Sequence, residues 1–149
     1  MILNLIIGLG AAFALYWTYR TRKLIPSIIS IGMITGVLLV LLPRNILLTA
    51  GLSIYIVFVI FAFIYGIFIK GLTLWPRIVI CVMSASIITF WFWRLNHLHG
   101  NEILLPILTL LMCAAALISK AKLKNEAGFL VILAADAVAI IVENVMRVS

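Results

Sequence analysis

The residues of this chain that could do chemistry are few, and most of them are set inside or beside long apolar runs. Four Asp and Glu stand among 149 residues. Asp136 falls in Leu133-Ala134-Ala135-Asp136-Ala137-Val138-Ala139, in the middle of the last apolar run. On a helix crossing a bilayer, a charged carboxylate at that depth costs about 2.5–3.5 kcal/mol, so it must face protein and be hydrogen-bonded. At about 100° per residue, Asn125, Phe129, Ile132, Asp136, Ala139, Ile140, Glu143 and Arg147 share one stripe of that helix. Its expected midplane partners are Ser84, Ser86 and Thr109, with Tyr55 a further candidate. Such a carboxyl relays a proton or cation, contacts a polar solute, or simply joins helices through hydrogen bonds.

Asp136 and Glu143 lie about 10 Å apart along a helix axis, too far to grip one metal ion, so each needs partners from another helix. Small neighbours such as Ala135 and Ala139 let another helix come close.

Both histidines occur in Arg94-Leu95-Asn96-His97-Leu98-His99-Gly100-Asn101-Glu102. His97, His99 and Glu102 are ligand types that zinc accepts, and Glu143 falls near the same end of the bundle. Their spacing matches no metal signature, so ordinary polar loop residues are the leading reading, followed by a pH-responsive or headgroup-contacting loop and then by a metal site. No phosphate-binding loop, HExxH or GxSxG is present, and no helix carries a histidine to hold haem. Cys81 and Cys113 lie singly in apolar runs and read as small packing residues. No cofactor is implied.

The elements that must position these groups follow from composition. The chain is 66% hydrophobic and 10% charged, with mean hydropathy +1.34. A soluble domain is nearer half apolar and a quarter charged, so the lipid bilayer is the solvent this chain fits. A hydrocarbon core of about 30 Å needs about 20 helical residues, and cuts at charged, Pro, Asn and Gly breaks give six such segments, roughly 2–19, 25–43, 46–69, 74–95, 102–119 and 127–146. A barrel would instead alternate in short pieces. The expected fold is therefore all-α: a compact bundle of six transmembrane helices in one domain. The run from Met1 to Trp17 has no basic stretch ahead of it and no small-residue cleavage site before Tyr19, so it is expected to remain as the first helix.

The net charge of +7 does not point to nucleic acid, because the basic residues are scattered between apolar runs. They read as topology determinants. Loops one, three and five hold Arg20, Arg22, Lys23, Lys70, Arg77, Lys120, Lys122 and Lys124, and the other side holds only Arg44, Arg94 and Arg147. The basic side faces the cytoplasm, which puts both termini on the non-cytoplasmic side. Trp17, Tyr19, Trp75, Trp91 and Trp93 fit the aromatic belts at the two interfaces. Asn101 and Asn125 read as helix caps, with Glu102 and Glu126 in the first turns.

A weak repeat runs through the chain. Tyr16-Trp17-Thr18-Tyr19-Arg20 resembles Phe90-Trp91-Phe92-Trp93-Arg94, and Ile25-Pro26 resembles Leu105-Pro106. Two copies of three helices would have opposite orientations, an inverted repeat of the kind that places a transport site between its halves. Gly32 and Gly36, Ala62 and Gly66, and Gly8 and Ala12 share the spacing of close helix packing. The leading expectation is transport or conduction of a small solute or ion centred on Asp136, in a homo-oligomer or with a partner membrane subunit. The alternatives are a non-catalytic accessory subunit of a membrane complex, or a lipid-acting enzyme using His97, His99 and Glu143.

Overall fold

The computed structural model describes residues 2–21, 23–42, 45–69, 71, 73–96 and 103–148, save the side chains of 2, 45, 147 and 148. Its regular structure among these residues is helical: α1 (Ile2–Arg20), α2 (Leu24–Leu41), α3 (Asn45–Phe68), α4 (Leu74–Leu95), α5 (Leu104–Ile118) and α6 (Ala127–Val148). Each expected segment lies on one of them, with the ends adjusted by local chemistry. Pro26, Pro76 and Pro106 each fall in the first turn of a helix, where the missing N–H would have had no intrahelical partner. α2 stops at Leu41 rather than 43, because the residue before a proline is pushed out of the helical region. Leu42, which precedes Pro43, is extended at φ −79 and ψ 136.

α5 ends in a tight cap. Lys120 N–H donates to Leu117 O at 3.1 Å and Ala121 N–H to Ala116 O at 3.0 Å, with Lys120 at φ 50. That is the left-handed position glycine normally fills, and a side chain there costs about 1 kcal/mol. Lys120→Gly should therefore raise the unfolding midpoint in detergent by an amount equivalent to about 0.5–1 kcal/mol. An unchanged or lower midpoint would show that the Lys120 side chain contributes something the backbone geometry does not reveal.

Four helices, α2, α3, α4 and α6, are long and apolar enough to cross a membrane. The chain is accordingly an integral, multi-pass membrane protein. α5 is apolar but has only 15 residues, about 22 Å of helix against a hydrocarbon core of about 30 Å.

Sequential helices pack side by side, and α1 closes against α6, which also reaches α2 and α4. The core along this line includes Ala14, Met33, Val59, Ile80, Met83, Ile87, Phe90, Phe129 and Leu133, all buried. Large apolar side chains also cover the outside: Leu9, Ile28, Phe61, Phe92 and Leu111 are exposed. Apolar surface on that scale belongs against lipid.

α2 and α3 approach each other closely. A Cβ at Gly36 would stand 2.8 Å from Tyr55 N and 2.9 Å from Gly51 O, and one at Gly51 would stand 2.7 Å from Gly36 O. Backbone meets backbone there, as the small-residue spacing in α2 implied. Gly32 instead accommodates the ring of Phe58, and Gly66 accommodates Ile80 and Cys81 of α4. Gly8 meets nothing within 4 Å, so the pair it forms with Ala12 makes no close helix contact at that point.

Candidate functional site

α6 carries three carboxylates in or beside it, and the helices around it supply their partners. Asp136 is 7% exposed. Its place is set by small residues: a Cβ on Gly10 of α1 would come 2.5 Å from the Cβ of Ala135, so α1 lies directly on α6 beside the acid. Two neutral donors from two other helices reach it. The Tyr55 hydroxyl on α3 donates to Oδ2 at 2.9 Å, and Trp91 Nε1–H on α4 donates to the same oxygen at 3.2 Å. Oδ1 accepts no hydrogen bond among the described residues.

None of the three expected partners donates to Asp136. The Ser86 hydroxyl donates to Val82 O at 2.8 Å and the Thr109 hydroxyl to Leu105 O at 3.2 Å, each within its own helix. A hydroxyl four residues beyond a helical carbonyl satisfies itself this way at no cost in reach. Ser84 is fully buried, and its hydroxyl has no partner among the described residues. Tyr55, the weaker candidate from sequence, is a partner, and Trp91 is one that sequence reasoning assigned to an aromatic belt.

Toward the far end of α6, Glu143 meets Arg94 of α4. Arg94 Nη1 and Nη2 donate to its two carboxylate oxygens at 3.0 and 2.7 Å, a forked pair. The same guanidinium lies 5.6 Å from the Trp91 ring centroid and 5.9 Å from that of Phe90. Glu143, Arg94, Trp91, Asp136 and Tyr55 therefore form one connected chain through α6, α4 and α3. The side chains of Arg94 and Glu143 are 31% and 24% exposed, so the pair is partly screened. Single Ala substitutions at either position should each lower stability by about 1–2 kcal/mol, and the double variant should lose less than their sum. A thermodynamic cycle with no coupling would reduce the pair to a surface contact.

At the opposite end Glu126 is buried and accepts from the Tyr65 hydroxyl at 3.1 Å. Trp17 Nε1–H donates to Lys124 O nearby. Arg77 donates to Gly66 O and Ile67 O, tying α4 to the last carbonyls of α3. Among the described residues no three His, Cys, Asp or Glu side chains gather as a metal site. His97, His99 and Glu102 lie outside the described residues, as do Arg22, Arg44 and Lys70 and the side chain of Arg147.

Comparisons with family models, with curated proteins and with solved structures find no match for this chain.

Proposed function

We propose that this protein moves a small solute or ion across the membrane, with Asp136 as the polar site within the bilayer. The observation that carries the reading is the one-sided hydrogen bonding of Asp136. Tyr55 and Trp91 fix Oδ2 from two helices, while Oδ1 is left for a proton, a cation or a donor on a solute. An intramembrane acid held by neutral groups is expensive, and a functional role justifies keeping it.

The same reading takes all six helices as spans. α1 has 19 residues, enough for about 28 Å, and α5 crosses where the bilayer thins or where its ends are completed by neighbouring loops. It also takes the two halves as an inverted repeat. α1 packs on α6 much as α4 packs on α3. Six short helices enclose little space, so a homo-oligomer or a partner membrane subunit completes the path. The residues of the site are then Asp136 with Tyr55 and Trp91, and Glu143 with Arg94.

The second reading is a non-catalytic accessory subunit, favoured by the same contacts: Asp136 joins α6 to α3 and α4 as a three-helix clasp. A flux assay on Asp136→Asn separates the two. Orientation has its own test, after Cys81 and Cys113 are replaced. A cysteine at Lys122 should react with an impermeant maleimide from the cytoplasmic side, and one at His97 from the outside. The reverse pattern would overturn the placement of both termini outside.

A further inference from the structure

The transport reading leaves Glu126 unused, although it is fully buried at the start of α6. Tyr65 donates to its Oε1 at 3.1 Å. Its Oε2 is buried and has no hydrogen bond among the described residues. No basic side chain among the described residues forms an ion pair with it. The hydroxyl of Thr18, also buried and without a partner among the described residues, faces Gly128 at the same end of α6: a Cβ there would be 3.2 Å from it. Thr18 Oγ1, Ser84 Oγ and Glu126 Oε2 are the buried side-chain atoms without partners among the described residues. Two of these three therefore fall at the N-terminal end of α6. A buried carboxylate oxygen that accepts no hydrogen bond is a place where a bound cation can supply the missing partner.

The local design matches that of Asp136. In both cases a tyrosine of α3 donates to a carboxylate on or beside α6. The pairs are also in register, since Tyr65 lies as far beyond Tyr55 on α3 as Glu126 lies before Asp136. Two such units on antiparallel helices stand about 15 Å apart along the axis. Tyr65 also lines an open groove of about 810 Å³ between α2 and α3, with Lys23, Pro26, Phe61 and Phe68 on the same walls.

We propose that Glu126 is a binding site for a small monovalent cation, with Tyr65 as its positioning residue and the Thr18 hydroxyl at the same end of the bundle. It rests on the transport reading only for its place on a path; the binding itself is measurable in a protein that moves nothing. The test uses the full chain in proteoliposomes with ¹³C-carboxyl glutamate, which leaves Asp136 silent, and with Glu102→Gln and Glu143→Gln, so that Glu126 is the one labelled glutamate; it reads infrared difference spectra of the labelled carboxyl band. Exchanging choline chloride for sodium chloride at constant pH should change the band in that background and after Asp136→Asn is added, and Glu126→Gln should remove it. Tyr65→Phe, which keeps the acid, should move the band's frequency without abolishing its response. A response to sodium supports the site. A band that responds to pH alone, as any carboxyl does, or one indifferent to sodium, overturns the proposal. A Glu126 response in protein that passes no flux would retain this site and remove the transport reading instead.

Discussion

Asp136→Asn should abolish proton or cation flux in proteoliposomes while leaving the helical bundle intact. The amide has the carboxylate's size, and its oxygen accepts from Tyr55 and Trp91 as Oδ2 does at 2.9 and 3.2 Å. What it loses is the ability to carry charge or exchange a proton. The expected fall in flux is at least about tenfold, with the unfolding midpoint changed by no more than about 1 kcal/mol equivalent. Flux is followed with an entrapped pH-sensitive dye and with a radioactive monovalent cation, so that neither carrier is assumed. Asp136→Leu tests the other half of the argument. It leaves the Tyr55 hydroxyl and the Trp91 N–H without their acceptor, at about 1–3 kcal/mol for each buried donor. Leu should therefore damage assembly where Asn does not. If Asn and wild type pass ions equally, or both pass none, Asp136 is a clasp between helices and the accessory-subunit reading takes over.

The parts of this protein legible in sequence are those dictated by one residue and its immediate neighbours. Helix ends follow from Pro26, Pro43, Pro76 and Pro106, because proline acts through the backbone of its own turn. The burial of Asp136 follows from its apolar surroundings on both sides of the chain. Partner choice did not follow, because it depends on which faces of α3 and α4 turn toward α6. Ser84, Ser86 and Thr109 had suitable chemistry, yet two of them bond within their own helices and the third bonds with nothing among the described residues. Trp91 resembled a belt residue because an amphipathic ring near a helix end suits an interface equally well. The spacing of Trp91 and Arg94 on one helix was the signal available, since it puts a donor and a cation on neighbouring turns of one face. Glu126 read as a first-turn acid; the structure places it one residue before α6, whose first turn holds no acid, and its burial is a property of the packed α3 and α6.

The largest effect on the fold should come from the contact between α2 and α3, because nothing there can give way. A Cβ added at Gly51 would meet Gly36 O at 2.7 Å, Leu39 Cβ at 2.8 Å and Val40 N at 2.8 Å. Two of those atoms are backbone, so relief requires moving one helix off the other rather than rotating a side chain. Overpacking of this kind costs about 1–3 kcal/mol for a methyl group and more for a branched side chain. Gly51→Ala should accordingly lower the unfolding midpoint, and Gly51→Val should prevent accumulation of folded protein. At Gly36 the consequence also reaches the site. The added methyl would press on Tyr55 N and Cα at 2.8 and 2.9 Å, and the Tyr55 hydroxyl is one of the two donors to Asp136. Gly36→Ala should therefore reduce flux by more than its stability loss accounts for, and Tyr55→Phe on top of it should add little further loss. Gly32→Ala is the control, since the added methyl there also forces a shift on the same helix, but against the ring of Phe58 and not against Tyr55. Equal flux defects at Gly32 and Gly36 would mean that general loosening of α2, and not displacement of Tyr55, is what the site feels.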